Sequence, residues 1–320
     1  ALPISAIDLL NSLDTSGSTL WSAVQAEKYY HRLSYSSLNE FHLCPRRWQL
    51  TRFAASKEVT IHTAFGHSVG EAVANISAGM ELEEAVFHAF ITWEVDLLEE
   101  HQKSKKSFAM AVDAIRSFYL LWTGTLSLEW EVLLIDGKPA AELGLRVNVG
   151  EYVYRGFVDL VLKNKYTAEI AILECKTTGF KTATEAQYGN SNQSLGYAVF
   201  LDKIVPDVSS YTVLHLVYVT PTREWHVFPV HKSALKRANW IRDLIYDVRR
   251  IEMYKEDDAF PMNGSACTSF GRICPFYGFC EQDTGQIIAV LPKLESEDES
   301  KYQYTFTIDE LIEQQMENSI

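Results

Sequence analysis

Several features that mark large classes of proteins are missing from this chain of 320 residues. No apolar run approaches the ~18 residues that a membrane-spanning helix needs, so we expect no membrane partner. The phosphate-binding loop G-x-x-x-x-G-K-[ST] is absent, which excludes an ATP-driven motor of that type. Cysteine is scarce, with five residues, and no C-x2-C pair forms the usual zinc knuckle.

An excess of basic residues is also missing, because the formal net charge is −13. Nucleic-acid affinity depends mainly on phosphate contacts, so this charge argues against a DNA partner. Two acidic segments account for it. Residues 81–100 carry seven acids and no Lys or Arg, and residues 291–320 carry eight acids and two lysines. The remaining chain is therefore neutral and compatible with DNA.

Two neighbouring patterns, Gly156-Phe157-Val158-Asp159 and Glu174-Cys175-Lys176, lie in β-rich runs. A polar turn, Lys163-Asn164-Lys165, separates the runs and predicts a hairpin. Side chains alternate along a strand, so Glu174 and Lys176 share one face and Cys175 points to the other. Pairing of the two strands is expected to bring Asp159 beside Glu174.

Asp159, Glu174 and Lys176 outline a metal-dependent phosphodiester-cleaving site. Mg²⁺ and Mn²⁺ prefer carboxylate oxygens, and a metal held there would polarise a phosphoryl oxygen and activate water. Lys176 is expected to orient that water or to neutralise the charge that develops on phosphorus. An isolated E-x-K pattern is more often an ordinary surface ion pair, so the hypothesis depends on the other features of the chain.

Four cysteines form a second candidate site. Cys267, Cys274 and Cys280 make a tight C-x6-C-x5-C triplet, and Cys44 stands alone near the start. Four thiolates suit a tetrahedral Zn²⁺ or an iron–sulfur cluster. A lone N-terminal ligand with a C-terminal triplet favours a cluster that joins the two ends of a domain. The alternative is four unrelated buried thiols.

Basic residues follow Cys44 directly, at Arg46, Arg47, Arg52 and Lys57. A bound cluster would hold the arginines near a DNA path, so Arg46, Arg47 and Arg52 are the candidate DNA contacts. A second basic set is interpreted as the solvated face of a helix: Lys232, Lys236, Arg237, Arg242, Arg249 and Arg250.

Gln193 and Tyr197 lie four residues apart in a predicted helix and therefore share one face. An amide and a phenol on that face suit contact with DNA phosphate or stacking on a base. The structural alternative has Tyr197 packed in the core and Gln193 serving as a cap.

From about residue 34 to 281 the chain resembles RecB-like PD-(D/E)XK nucleases that carry an iron–sulfur cluster. Residues 34–48, S-Y-S-S-L-N-E-F-H-L-C-P-R-R-W, resemble the entry motif of that family. Gly156-x-x-Asp159, Glu174-x-Lys176, Gln193-x-x-x-Tyr197 and the cysteine triplet follow in the family's order. Members include the nuclease domain of bacterial helicase-nucleases, AddB-type and CRISPR-adaptation exonucleases, and phage relatives.

This resemblance implies an α/β, restriction-endonuclease-like core, with a central mixed sheet flanked by helices and an iron–sulfur-stapled subdomain. It implies exonucleolytic DNA cleavage at free or single-stranded ends, in recombination, replication, repair or DNA-end processing in the cytoplasm of a bacterial or phage-infected cell. Mg²⁺ or Mn²⁺ is the implied metal, and a [4Fe-4S] cluster is implied on Cys44, Cys267, Cys274 and Cys280. The implied catalytic residues are Asp159, Glu174, Lys176, Gln193 and Tyr197.

One position departs from the family pattern. Many relatives place a metal-binding His in G-x-x-x-H at the start of a helix, whereas here Gly66 is followed by Gly70. His67 lies one turn earlier and is a candidate substitute, although a lone His is more often structural. Water or the backbone carbonyl of Cys175 is the other way to complete the metal coordination.

Along the chain we expect a lead-in over 1–30, a nuclease domain over 31–285 and an acidic tail over 286–320. The cluster is expected to join residue 44 to residues 267–280. The tail is expected to be flexible, with a short helix over 306–316 for a protein partner. Helical patterns occupy 34–56, 65–78, 80–101, 104–124, 187–204 and 233–253, and β-rich runs occupy 128–134, 141–149, 152–162, 170–176, 211–220 and 224–230.

Two other functions fit parts of the pattern. Gly70 favours a catalytically inactive scaffold that binds DNA with the same fold. A zinc-stapled structural protein would leave the E-x-K pattern as a chance match.

Overall fold

A computed structural model of the chain describes residues 30–52, 59–93, 95, 104, 106–205, 208, 210–257, 259–269, 272–282 and 299–317. The predicted lead-in lies outside these residues except for Tyr30, as do Lys57 and the first part of the predicted tail. None of the helices within these ranges has the length and apolarity that crossing a membrane requires.

Several of the helices begin at a side chain that accepts a hydrogen bond from the first turn, as at Ser34, Thr60 and Ser107. The helices are α1 Tyr35–Leu43, α2 Pro45–Thr51, α3 Ile61–Ser77, α4 Leu82–Ile91, α5 Phe108–Leu121, α6 Ser127–Glu129, α7 Asn192–Ile204, α8 Ala234–Glu256 and α9 Ile308–Glu317.

The longer strands coincide with runs of buried β-branched and aromatic residues. The strands are β1 Arg32–Ser34, β2 Trp130–Val132, β3 Leu134–Ile135, β4 Lys138–Pro139, β5 Ala141–Val149, β6 Tyr152–Asn164, β7 Ile170–Thr178, β8 Ser210–Val219, β9 Glu224–Ser233, β10 Thr268–Ser269, β11 Arg272–Ile273 and β12 Tyr304–Thr307.

The single helix predicted over 34–56 is wrong, because the chain breaks at Cys44. Cys44 adopts extended dihedral angles, and Pro45 has no N–H with which to continue α1. Proline instead suits the first turn of α2, where the Cys44 sulfur accepts the N–H of Arg47 at 3.5 Å. Two further boundaries differ from expectation: α4 ends at Ile91, and the strand expected from Leu128 begins at Trp130.

The chain divides into two compact units, which are described separately. Unit 1 comprises Ala1–Lys57, Arg146–Arg155 and Leu244–Ser300. Unit 2 comprises Glu58–Leu145, Gly156–Asp243 and Lys301–Ile320.

Unit 2 has an α/β fold with a central mixed sheet flanked by helices, as the sequence predicts. The strand order is β12-β5-β6-β7-β8-β9, and β2 also pairs with β6. Strand β7 is antiparallel to β6 and parallel to β8, and β9 is antiparallel to β8. The parallel pair is joined through α7, which is the crossover that parallel strands require.

Helices α3, α4 and α5 pack against one face of this sheet. Phe65 and Phe118 from the helices meet Leu160, Leu173 and Leu216 from the strands, and all five are fully or almost fully buried. Burial of such a side chain contributes roughly 1.5–3 kcal/mol relative to exposure. Because side chains alternate along β7, the face that buries Leu173 also receives Cys175, whereas residue 174 points to the opposite face.

The described C-terminal residues from Lys301 onward form part of unit 2. Strand β12 pairs with the edge strand β5, and α9 lies against α7. Leu311 is buried, and Gln315 donates a hydrogen bond to Asp202. A side chain at Gly144 would collide with the carbonyl oxygen of Lys301, so only glycine permits this approach. The predicted helix is confirmed, and a protein partner for the tail stays a prediction.

Unit 1 is built around aromatic rings. Trp48 lies 5.3 Å from Phe41 and 5.9 Å from Phe260, measured between ring centroids. The indole N–H of Trp48 donates to the Ser37 hydroxyl at 2.9 Å, so its one polar atom is satisfied although the residue is fully buried. His42 joins α1 to α8 through a 2.8 Å contact with Asp247.

Candidate active site

The hairpin of β6 and β7 brings Asp159 and Glu174 together in unit 2. Leu160 pairs with Leu173, so the next positions toward the open end are Asp159 and Glu174. The Cys175 N–H donates to the Asp159 carboxylate at 2.9 Å. That carboxylate therefore takes the place of a backbone acceptor where the two strands separate.

A chain of polar contacts leads from Glu174 to helix α7. Lys176 forms an ion pair with Glu174, and its ammonium group donates to the Gln193 side-chain oxygen at 3.0 Å. The Gln193 amide then donates to the Tyr197 hydroxyl at 2.8 Å. The structure thus places five of the candidate residues next to one another, from Asp159 at one end to Tyr197 at the other.

Tyr197 is buried, and its ring lies against Gly156. A Cβ at position 156 would approach the Tyr197 ring to 2.8 Å, which is closer than side chains pack. Tyr197 is therefore packed in the core, as the structural alternative predicts. It also accepts a hydrogen bond from Gln193, which in turn contacts Lys176 of the E-x-K motif. Gly156 is required for that close approach.

Electrostatics at the carboxylates favour protons unless a cation is present. Burial raises the pKa of Glu174 to about 8, with a further rise from the charge of Asp159 and a partial offset from Lys176. Burial also raises the pKa of Asp159, against the lowering effects of Lys176 and of the Cys175 N–H. Burial lowers the pKa of Lys176, but the two carboxylates outweigh it and raise the pKa.

The donor set fits a hard divalent cation. Glu174 is completely buried, and its Oε2 atom has no hydrogen-bond partner among the described residues. A buried carboxylate oxygen without a partner is costly, and a cation would satisfy it. In the described ranges no group of three or more His, Cys, Asp or Glu side chains is arranged to hold one ion. Two carboxylates, a backbone carbonyl and water are the donors that remain.

The structure gives His67 no polar contact with Asp159 or Glu174 among the described residues. His67 is exposed on α3. At Gly70, a Cβ would meet nothing within 4 Å, so the position where relatives carry histidine has open space. His67 as a metal ligand stays a prediction.

Sequence reasoning missed one acid opposite Asp159. The Val161 N–H donates to the carbonyl of Ala140, which places Glu142 of β5 opposite Asp159. Burial raises the pKa of Glu142 to about 7, with further rises from the charges of Asp159 and Glu71. Glu142 also has a φ of 48°, a strained left-handed conformation for a residue with a side chain. The signal was the short Gly150-Glu151 turn, which fixes the pairing of β5 with β6.

The four candidate cluster cysteines line one cavity of unit 1, of about 680 Å³. All four are free thiols. The Cys274 N–H donates to the carbonyl of Cys267 at 2.8 Å, which closes a tight turn between them. Burial raises the pKa of the Cys280 thiol, Arg46 lowers it, and the other three cysteines raise it again. The four cysteines line one cavity, but in the described part of the chain no three of them are arranged to hold one ion, so a metal centre there stays a prediction.

The three candidate DNA-binding arginines make contacts within unit 1. Arg46 is buried and donates to the carbonyls of Cys280 at 2.9 Å and Gln282 at 2.6 Å. Arg47 pairs with Glu40 at 3.0 Å. Arg52 lies over the Trp48 ring, 5.2 Å from its centroid. Arg46 therefore ties α2 to the cysteine triplet, and DNA contact by these arginines stays a prediction.

The chain matches the sequence profile of the PD-(D/E)XK nuclease superfamily over residues 32–281. No curated protein matches it. One similar solved structure is an Eubacterium rectale protein described as a "putative exonuclease", at 10% identity and TM-score 0.46, covering 80% of this chain and 91% of its own. Another is SSO0001, at 12% identity and TM-score 0.35, covering 82% of this chain and 96% of its own. Both TM-scores are too low to support a functional comparison.

Proposed function

The chain belongs to the PD-(D/E)XK nuclease superfamily, and we propose that it is a divalent-metal-dependent exonuclease that hydrolyses DNA at free or single-stranded ends. One observation carries the proposal. Glu174 is a fully buried carboxylate with an unpartnered oxygen, held between Asp159 and a lysine that α7 orients. A buried site of this composition is destabilising in a purely structural protein.

Asp159, Glu174 and the Cys175 carbonyl would hold Mg²⁺ or Mn²⁺. When bound, the metal polarises the scissile phosphate and lowers the pKa of water. Lys176 stays protonated between the carboxylates, so it presents a positive charge to the phosphate as negative charge develops there. Gln193 accepts a hydrogen bond from Lys176 and donates one to Tyr197, which limits the positions that the ammonium group can adopt.

We further propose a [4Fe-4S] cluster on Cys44, Cys267, Cys274 and Cys280. The cavity that these residues line, their free thiols and the resemblance to iron–sulfur nucleases support it. The cluster would join α2 to the C-terminal triplet within unit 1 and act as a structural ligand. Zinc is the alternative, and absorbance near ~400 nm of anaerobically purified protein separates the two because zinc is colourless.

The exonuclease preference and the setting in DNA recombination, replication or repair rest on the same resemblance. Cysteines that serve as metal ligands require a reducing compartment, which supports a cytoplasmic location in a bacterial or phage-infected cell. The charge of the remaining chain, once the two acidic segments are set aside, is compatible with a DNA partner.

The second candidate function is a DNA-binding scaffold without catalysis, which Gly70 favours. End-labelled linear and closed circular single-stranded DNA, with Mg²⁺ or Mn²⁺, separate the two. We expect degradation of the linear DNA only, abolished in Glu174→Ala and retained in Glu84→Ala, an exposed acid on α4. Binding of both DNAs without cleavage by any of the proteins would establish the scaffold, and cutting of the circle would establish an endonuclease.

A further inference from the structure

A row of paired residues crosses the sheet of unit 2 from the E-x-K motif to its edge. Glu174 of β7 pairs with His215 of β8, and His215 pairs with Phe228 of β9. Residues paired across adjacent strands project to the same face, at about 4.8 Å per strand. Phe228 therefore lies on the catalytic face, about 10 Å from Glu174.

Three aromatic rings lie nearly parallel to one another at the β9 end of this row. The Tyr188 ring lies 5.9 Å from that of Phe228, with an interplanar angle of 14°. The Phe228 ring lies 6.1 Å from that of His226, with an angle of 4°. Tyr188 and Phe228 are partly exposed, and 40% of the His226 side chain is exposed. Aligned and accessible rings are the feature on which single-stranded nucleic acids stack their bases.

Tyr188 is fixed in place before any ligand arrives. It follows a 3-10 turn, Glu185–Gln187, and its N–H donates to the Glu185 carbonyl at 2.9 Å. Lys232 is completely buried beneath this turn and donates to the Gly189 carbonyl at 2.9 Å. The interpretation of Lys232 and Arg237 as part of a solvated helix face was therefore wrong, because both side chains are completely buried and Lys232 lies on β9. A ring held in this way loses little conformational entropy on binding.

His215 links the catalytic residues to the rings. It is 1% exposed, and neither ring nitrogen has a hydrogen-bond partner in the described part of the chain. Its ring lies 5.5 Å from that of Tyr188. A buried imidazole without a protein partner points to a ligand that brings hydrogen-bonding groups.

We propose that Tyr188, Phe228 and His226 form a stacking subsite for unpaired bases of the nucleic-acid strand that enters the active site. The occupant is a single strand, because a duplex hides its base faces within the stack. This inference rests on the proposed function, since Phe228 belongs to the row of paired residues that begins at Glu174. It deepens that function by assigning residues to the selection of unpaired DNA.

The test measures binding without cleavage, in a Glu174→Gln background. Fluorescence anisotropy with a short labelled single-stranded oligonucleotide compares Phe228→Leu and Tyr188→Leu with Phe87→Leu, a control that removes an exposed ring on α4. Each stacking variant should bind about 5- to 150-fold more weakly, the range expected for loss of one stacked base. The control should bind within about twofold of the parent protein.

An oligonucleotide with consecutive abasic sites separates stacking from phosphate contact. The parent protein should bind this abasic oligonucleotide as weakly as the variants bind normal DNA. The variants should bind it only slightly more weakly than they bind normal DNA. Tyr188→Phe keeps the ring and should keep the affinity, whereas thermal melting shows whether each variant is folded. If Phe228→Leu does not fold, His226→Leu replaces it.

Unchanged binding by two folded stacking variants would overturn the inference. A cleavage assay with the same oligonucleotide and the protein with Glu174 intact distinguishes failure of the stacking subsite from failure of the proposed nuclease function. Cleavage that does not depend on the rings refutes the stacking subsite alone. Ring-dependent binding without any cleavage refutes the nuclease alone.

Discussion

The carboxylate site of unit 2 and the cysteine cavity of unit 1 are built in different ways. Asp159 and Glu174 lie on long paired strands, and backbone register holds them together even though burial raises the pKa of both carboxyls. The cysteines lie at a helix junction and next to two-residue strands and 3-10 turns. Few backbone hydrogen bonds of regular structure support the second site.

The comparison separates two roles for a bound metal. A site on a rigid sheet is formed before the ligand arrives, so the ligand adds chemistry and little folding free energy. A site on short irregular segments depends on its ligand for order, so ligand binding contributes folding free energy. We therefore expect loss of the divalent cation to abolish activity and leave unit 2 folded, whereas loss of the cluster should unfold unit 1.

The largest expected effect comes from Cys274→Ser. Structural metal centres contribute on the order of 10 kcal/mol, so removing one ligand should empty the cluster and unfold unit 1. Iron content should fall, and hydrogen exchange should show loss of protection in α1 and α2 while β7 and β8 stay protected. Cys175→Ala, which removes the cysteine that packs against the core, should retain iron. Full iron content and unchanged protection in Cys274→Ser would contradict the proposed cluster.

Lys176→Gln should separate metal binding from catalysis at the carboxylates. Loss of the positive charge should reduce the cleavage rate by about 10²- to 10³-fold, the range for removal of one electrostatic group. Mn²⁺ affinity should change much less than the rate, because the substitution removes a repelling charge beside Glu174 but also raises the pKa of the carboxyls that bind the metal. Lys181→Gln, an exposed lysine in the next loop, serves as the control. A parallel fall in metal affinity would show that Lys176 acts by organising the metal site.

The affinity for Mn²⁺ should rise with pH. Burial raises the pKa of Glu142 to about 7 and that of Glu174 to about 8, from 4.5. The folded protein therefore holds protons that the unfolded chain releases, so stability of the metal-free protein is complete below about pH 4.5 and is lost as pH rises through 7 and 8. A cation displaces those protons, so its affinity should increase by up to about tenfold per pH unit for each proton released.

Calorimetric titration from pH 6 to pH 8.5 measures this dependence. Glu142→Gln should weaken the pH dependence of Mn²⁺ affinity in the lower part of this pH range, because that variant lacks the proton that Glu142 holds below about pH 7. A pH-independent affinity would mean that both carboxyls are ionised before the metal binds.

Gly70→His should strengthen metal binding by a smaller amount. A Cβ at this position meets nothing within 4 Å, so the structure has room for an imidazole there. We expect about tenfold tighter Mn²⁺ binding. Gly70→Ala is the control, because it shares the gain in helix propensity, up to about 1 kcal/mol, without adding a ligand. Equal metal affinity in both variants would argue against an open coordination position near residue 70.

The sequence predicted the elements whose geometry is local. Alternation along β7 correctly placed Cys175 on the face opposite Glu174, and a short turn between two β-rich runs predicted their pairing, so Asp159 and Glu174 met as expected. Helix α9 was also found, because its apolar spacing is a property of the segment alone.

Features that depend on non-local register were missed. Glu142 meets Asp159 through the pairing of β5 with β6, which periodicity alone does not give. The arrangement of the Tyr188, Phe228 and His226 rings depends on the register of β8 against β9 and on a turn anchored by Lys232. The break at Cys44 was missed because a cysteine sulfur served as the helix cap, a role that more often falls to Ser, Thr, Asp or Asn.

One measurement tests the central claim, that the buried Asp159–Glu174 pair binds the cation that drives cleavage. Mn²⁺ titration and cleavage of end-labelled single-stranded DNA are measured on the parent protein, Glu174→Gln and the exposed control Glu84→Gln. We expect the parent and the control to bind Mn²⁺ and degrade the DNA, and Glu174→Gln to remain folded and lose both. Metal binding and cleavage that survive in Glu174→Gln would contradict the account.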